Sequence, residues 1–156
     1  GQIYFYGNSQ LASVDGFNAL GSIPGSLRFK DQQQLQAIAG FASLASIGGS
    51  LVFDNCDGGG DFAGFPALVS VAENLTVAHS DITAMSGLPA LESIGGYLLV
   101  HYNGLSSLTG LGSLSSLSGD YHVRNNASLP ESQVQALLDS IGSSNVGGGV
   151  YTGDNG

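Results

Sequence analysis

Positive charge is scarce in this chain: three Lys or Arg stand against twelve Asp or Glu among 156 residues, a formal net charge of −9. Nucleic acid, polyanions and anionic lipid are recognised through basic residues, so none of them is an expected partner. Cysteine is scarcer still. The single Cys56 cannot form an internal disulfide, which leaves the redox compartment unread and makes a small buried side chain, not a reactive thiol, the expectation there. No apolar run is long enough to span a bilayer and no signal peptide is present, so direct membrane insertion is not expected. The motifs of catalysis are missing too: no G-x-S-x-G elbow, no phosphate loop, no H-E-x-x-H and no paired carboxylates in an evident pocket. Neither enzymatic activity nor a cofactor is expected.

What fills the chain is repetition. In Leu98-Leu99-Val100-His101-Tyr102-Asn103 the first and third residues are apolar and the sixth is a small amide, a short strand followed by a corner. The same pattern starts at Ile3, Leu27, Leu51, Leu75, Leu98 and Tyr121, and less regularly at Val150, giving spacings of 24, 24, 24, 23, 23 and 29 residues. A period of this length predicts a solenoid: a mainly β, parallel β-solenoid forming one domain over residues 1–156. Seven strands about 4.8 Å apart make a sheet about 29 Å long.

Between strands, apolar residues recur every third position, as in Leu35, Ile38, Phe41, Leu44 and Ile47, or in Phe62, Phe65, Leu68 and Val71. A strict period of three suits extended or 3₁₀ arcs with tight corners and not α-helix. Gly16, Gly40, Gly64, Gly87 and Gly110 share one place in the arc, and Gly25, Gly49, Gly96 and Gly119 another before the next strand; positive φ or close approach of neighbouring turns explains glycine there. The sixth strand position reads Asn8, Gln32, Cys56, Ser80, Asn103, Asn126, Asn155, an inward polar ladder for the backbone groups at each corner.

Two segments break the rhythm. Asp57-Gly58-Gly59-Gly60-Asp61 puts Gly59 where other turns have leucine, and Asp54, Asp57 and Asp61 are calcium-type ligands in a corner that matches neither the EF-hand nor the GGxGxD repeat; a solvated loop is the expectation, with no metal. Ser128-Leu129-Pro130-Glu131 reads as a capping box, with Val134, Leu137, Leu138 and Ile141 at helical spacing before Gly142. It predicts one α-helix over about 130–141 covering the end of the last turn, then a closing strand at about 150–152. Asn74 and Asn126 head glycosylation triplets, but Asn126 belongs to the ladder.

With first and third positions inward, the second, fourth and fifth point out. Those 21 positions hold all six Lys, Arg and His side chains, Arg28, Lys30, Arg124, His79, His101 and His122, and four of the six tyrosines, Tyr4, Tyr6, Tyr102 and Tyr151. Strand surfaces accept long side chains in general, but such confinement, in residue types favoured at contacts, points to a recognition face with Asp54 among its members. His79, His101 and His122 run diagonally over three successive strands, a looser constellation than a zinc site wants. The mixed columns also lack the regular Thr array of an ice-binding surface.

The turn L-x-(apolar)-x-x-N followed by L-x-x-L-x-G-L-x-x-L-x-x-I-G-G, best seen in Leu98 to Gly119 and Leu75 to Gly96, resembles the receptor L-domain type of leucine-rich repeat over residues 1–142. The resemblance implies a right-handed solenoid, an extracellular or cell-surface setting and a non-catalytic role in recognition, adhesion or surface architecture. The cysteine-rich flanks of the receptor versions are missing, and the Pro130-to-Leu138 segment is closer to bacterial versions. A surface of Ser, Gly, Asn, Gln and Thr fits secretion. The start at Gly1, two residues before a strand, suggests an excerpt of a longer protein. The expected partner is a protein or carbohydrate on another cell or surface. The alternative is a structural spacer or oligomerising fibre tip within a longer chain.

Overall fold

The computed structural model describes residues 1–61 and 63–156; Phe62, read above as the first apolar position of the third arc, lies outside the described residues. Among the described residues, seven strands form one wholly parallel sheet: β1 (Ile3–Tyr6), β2 (Leu27–Lys30), β3 (Leu51–Asp54), β4 (Leu75–Ser80), β5 (Leu98–Asn103), β6 (Tyr121–Arg124) and β7 (Val150–Gly153). Each pairs with the next in the chain. The register is unshifted throughout, Ile3 opposite Leu27, then Leu51, Leu75, Leu98, Tyr121 and Val150. This is the expected parallel β-solenoid, its turns 24 residues long at first, 23 later and 29 at the last, where the helix lies.

Among the described residues the arcs contain no α-helix until residue 131. Residues Ser22–Ile23, Ser46–Ile47, Ser70–Val71, Ser93–Ile94 and Ser116–Leu117 line up as a second parallel sheet, aliphatic side chain inward and serine outward. Before each of these lies a tight turn, closed by Leu20 N–H to Phe17 C=O and its equivalents at Leu44, Leu68, Leu91 and Leu114; Thr109–Leu111 is 3₁₀. Turn and short strand alternating produce the period of three.

Because the register of the two larger sheets does not slip, like residues stack on like. Phe5, Phe29 and Phe53 overlie one another at 4.8 Å between ring centroids, the strand spacing itself, and Phe17, Phe41 and Phe65 form a second pile at 5.1 and 5.2 Å. The piles meet edge to face. Val77, Val100 and Val123 continue the first column, and Leu88 and Leu111 the second, all buried.

The polar ladder is present and reaches across turns. Asn103 donates its Nδ2 to the Val77 and His101 carbonyls at 2.9 and 3.0 Å, while its Oδ1 accepts the Ser80 N–H at 3.2 Å. Asn126 repeats the pattern with Val100, Arg124 and the Asn103 N–H, and Asn155 with Val123 and the Asn126 N–H. Cys56 takes the same place, its thiol 3.6 Å from the Phe29 carbonyl and pushed up to about 11 by burial. Asn8, at the open edge, is exposed and joins no such bond among the described residues. Asn126 is fully buried, which excludes it as a glycosylation site in the folded chain.

The two explanations offered for glycine separate here. A Cβ on Gly40, Gly64 or Gly110 would come within 2.7, 2.4 or 1.5 Å of backbone atoms of the preceding turn, so close approach demands glycine there, whereas Gly16 in the first arc has open space at its Cβ and a φ of +94°, so φ decides at that position. Positive φ instead falls on the fifth strand position in every turn: Gly7, Asp31, Asn55, His79, Tyr102, Asn125 and Asp154 lie between +48° and +64°. This left-handed residue makes the corner.

The helix α1 (Glu131–Ile141) replaces the sixth arc. Val134, Leu137 and Ile141 are buried, Tyr121 donates its hydroxyl to the Val134 carbonyl at 2.8 Å, and Gln133 bonds the fifth arc at the Leu108 N–H and Ser106 C=O. The capping box does not form: Pro130 stands at the N-cap, no side chain caps the helix, and the Glu131 carboxylate accepts from Asn155 Nδ2 instead. Proline's fixed φ and missing N–H start the helix without it.

Since Gly110 has backbone where a Cβ would stand, Gly110→Ala should cost about 2–3 kcal/mol, read as a lower denaturant midpoint. Gly21, whose added Cβ meets nothing within 4 Å, should tolerate alanine to within about 0.5 kcal/mol.

Candidate functional site

The unshifted register carries the outward columns straight across the large sheet. One runs Tyr4, Arg28, Val52, Thr76, Leu99, His122, Tyr151, and the other Tyr6, Lys30, Asp54, Ala78, His101, Arg124, Gly153. Side-chain size along them sets the relief. Small Val52, Thr76 and Ala78 lie between the long Arg28 and Lys30 on one side and Leu99 and His101 on the other, leaving a depression of about 390 Å³. Ala78, expected on the open surface, is only 3% exposed and lies in its lining.

Above the depression the corner residues gather. Asp54 pairs with Lys30 Nζ at 3.0 Å and with His79 Nδ1 at 3.3 Å. The His79 ring lies 4.8 Å from His101 and stacks on Tyr102 at 5.3 Å, and His101 is 5.1 Å from Tyr102. Lys30, Asp54, His79, His101 and Tyr102 thus form one connected group over β2 to β5. His79 and Tyr102 hold the left-handed corner conformation at φ +48° and +53°, where the other turns use Gly, Asp or Asn; bulky residues adopt it at a cost of about 1 kcal/mol.

The charges settle accordingly. Partial burial pushes the Asp54 carboxyl up, but hydrogen bonds and positive charge from Lys30 and His79 outweigh it and hold the group below its ordinary range. The hydrogen bond and charge of Asp54 raise Lys30. His101 is lowered, first by burial and then by His79 and Arg124, and its Nδ1 is enclosed without a partner.

The other predicted residues fall outside this group. His122 stacks on Tyr151 at 4.1 Å and approaches Asp120 at 3.5 Å, so the three histidines split two and one. Tyr4 and Tyr6 pair at 5.7 Å on the edge strand. Arg28 and Arg124 are exposed, and their guanidinium groups make no ion pair or hydrogen bond among the described residues. The carboxylate corner does not converge: Asp54 serves the sheet face, while Asp61 accepts from the Ser86 N–H and hydroxyl. Among the described residues no three His, Cys, Asp or Glu groups gather as a metal site.

The columns missed one part of the depression. Ser50, Asn74 and Tyr97 also line it, from the positions immediately before β3, β4 and β5. The signal was the 38% exposed Tyr97, an aromatic just ahead of a strand start. Asn74, the other glycosylation triplet, is half-buried and accepts the Tyr97 N–H at 3.0 Å.

Comparison with protein-family models, with curated proteins and with solved structures returns no match. Among the described residues no helix is long and apolar enough to cross a membrane.

The lowered groups fix the sign of the pH response. The unfolded chain protonates His101 and Asp54 at higher pH than the folded chain does, so acidification favours unfolding. Stability should fall as pH drops below the ordinary imidazole range, and fall again as Asp54 titrates at lower pH. Proton NMR should place the His101 midpoint below that of a free imidazole, and His101→Gln should flatten the first decline.

Proposed function

We propose that this chain is a non-enzymatic recognition or adhesion module, working outside the cell, that binds a protein or glycan on another surface through the outward face of its large sheet. The observation that carries this reading is the concentration of every Lys, Arg and His on one face, beside a depression of ligand size. Tyrosine and arginine are the residues most often found at binding hot spots. The corner conformations of His79 and Tyr102 support it as well, because locally unfavourable backbone persists where function holds it. The resemblance to receptor L domains supports the extracellular setting and the non-catalytic role.

The triple variant His101→Ala, Tyr102→Ala, Arg124→Ala should lose more than tenfold in binding to any glycan or protein captured on an array, with circular dichroism and melting unchanged. Undiminished binding would remove the face from consideration.

One observation favours the structural reading, a spacer or oligomerising tip. Ile3, Phe5, Leu11, Phe17 and Leu20 of the first turn are only partly buried, whereas Leu27, Phe29, Leu35, Phe41 and Leu44 one turn on are buried. Among the described residues β1 also has a neighbour on one side only, the exposed edge that association covers. Light scattering of this chain separates the readings: a monodisperse monomer is expected for the recognition module, a stable symmetric oligomer for the tip.

A further inference from the structure

Taking the recognition face as its basis, we infer that the depression over β1 to β5 is a saccharide site, and that the saccharide it takes carries a single carboxylate. Counting Lys, Arg and Asp alone, the charge inside it is one positive unit in excess. Lys30 and Asp54 compensate each other at 3.0 Å, which leaves the unpaired guanidinium of Arg28 in the lining. A guanidinium binds a carboxylate with two parallel hydrogen bonds. The Asp54 carboxylate in the same lining, and a net charge of −9 over the chain, oppose any ligand of higher negative charge.

The rest of the lining suits hydroxyl-bearing rings. Tyr4 and Tyr97, 52% and 38% exposed, stand at opposite ends and offer an apolar ring face with a polar tip. Between them the Thr76 hydroxyl and the Asn74 Nδ2 form no hydrogen bond among the described residues, and Asp54 adds acceptor oxygens. Val52, Ala78 and Leu99 supply the apolar floor and wall for ring C–H groups. From Arg28 on β2 to Leu99 on β5 is three strand steps, about 14 Å, the length of a short oligosaccharide and not of one ring.

The test uses the whole chain with two probes, glucuronyl-N-acetylglucosamine and sialyl-lactose, each beside its carboxyl methyl ester, followed by amide chemical shifts. At least one acid should bind with shifts at Thr76, Ala78 and Leu99, and its ester at least tenfold more weakly. Arg28→Ala, with circular dichroism unchanged from the parent, should bind acid and ester alike. Equal binding of acid and ester by the parent chain would overturn the carboxylate. Absence of binding by all four probes would overturn the saccharide site. The recognition face would survive either result if the chain still captures an array protein and loses it in the triple variant.

Discussion

One constraint governs this molecule: each turn must lie on the one before it in unshifted register, about 4.8 Å away. A single turn of 23 or 24 residues has no interior of its own, so its apolar side chains are buried only by neighbours above and below. The two phenylalanine piles show this most directly, since their ring spacing is the strand spacing. Glycine at positions 40, 64 and 110 follows from the same demand, because a methyl group there would stand inside the backbone of the adjacent turn.

Register also needs a polar lock, since aliphatic stacks alone would tolerate slippage. The buried amides of Asn103 and Asn126 supply it by bonding both their own turn and the one before. Each such bond contributes only about 1 kcal/mol net, but a shift by one residue would leave several buried donors and acceptors unpaired at once. Ser80 and Cys56 keep the position small where the amide is missing. The left-handed residue just ahead of the ladder turns the chain toward the arc, and in β4 and β5 it also lifts His79 and Tyr102 onto the outward face.

The relief of the outward face is a by-product of that regularity. With register shared by all seven strands, an outward column behaves as a row of independent choices, and relief arises wherever small residues sit between large ones. Val52, Thr76 and Ala78 form such a low stretch, and the Asp54, His79, His101 and Tyr102 group stands at its margin.

Much of this was readable from residue order. Strand starts, the period, the ladder column, the absence of α-helix before residue 131 among the described residues and the membership of the outward columns all follow from spacing, since alternation along a strand and repetition between turns need no tertiary information. The choice between close approach and positive φ at the glycines could not be read, because both use the same residue and differ only in what lies across the turn. The depression, the pairing of His79 with His101 while His122 goes to Tyr151, and the loss of the Ser128 cap were likewise decided by tertiary contact. Side-chain partners and surface relief depend on which atoms meet between turns, and a one-dimensional pattern specifies the columns without specifying those meetings.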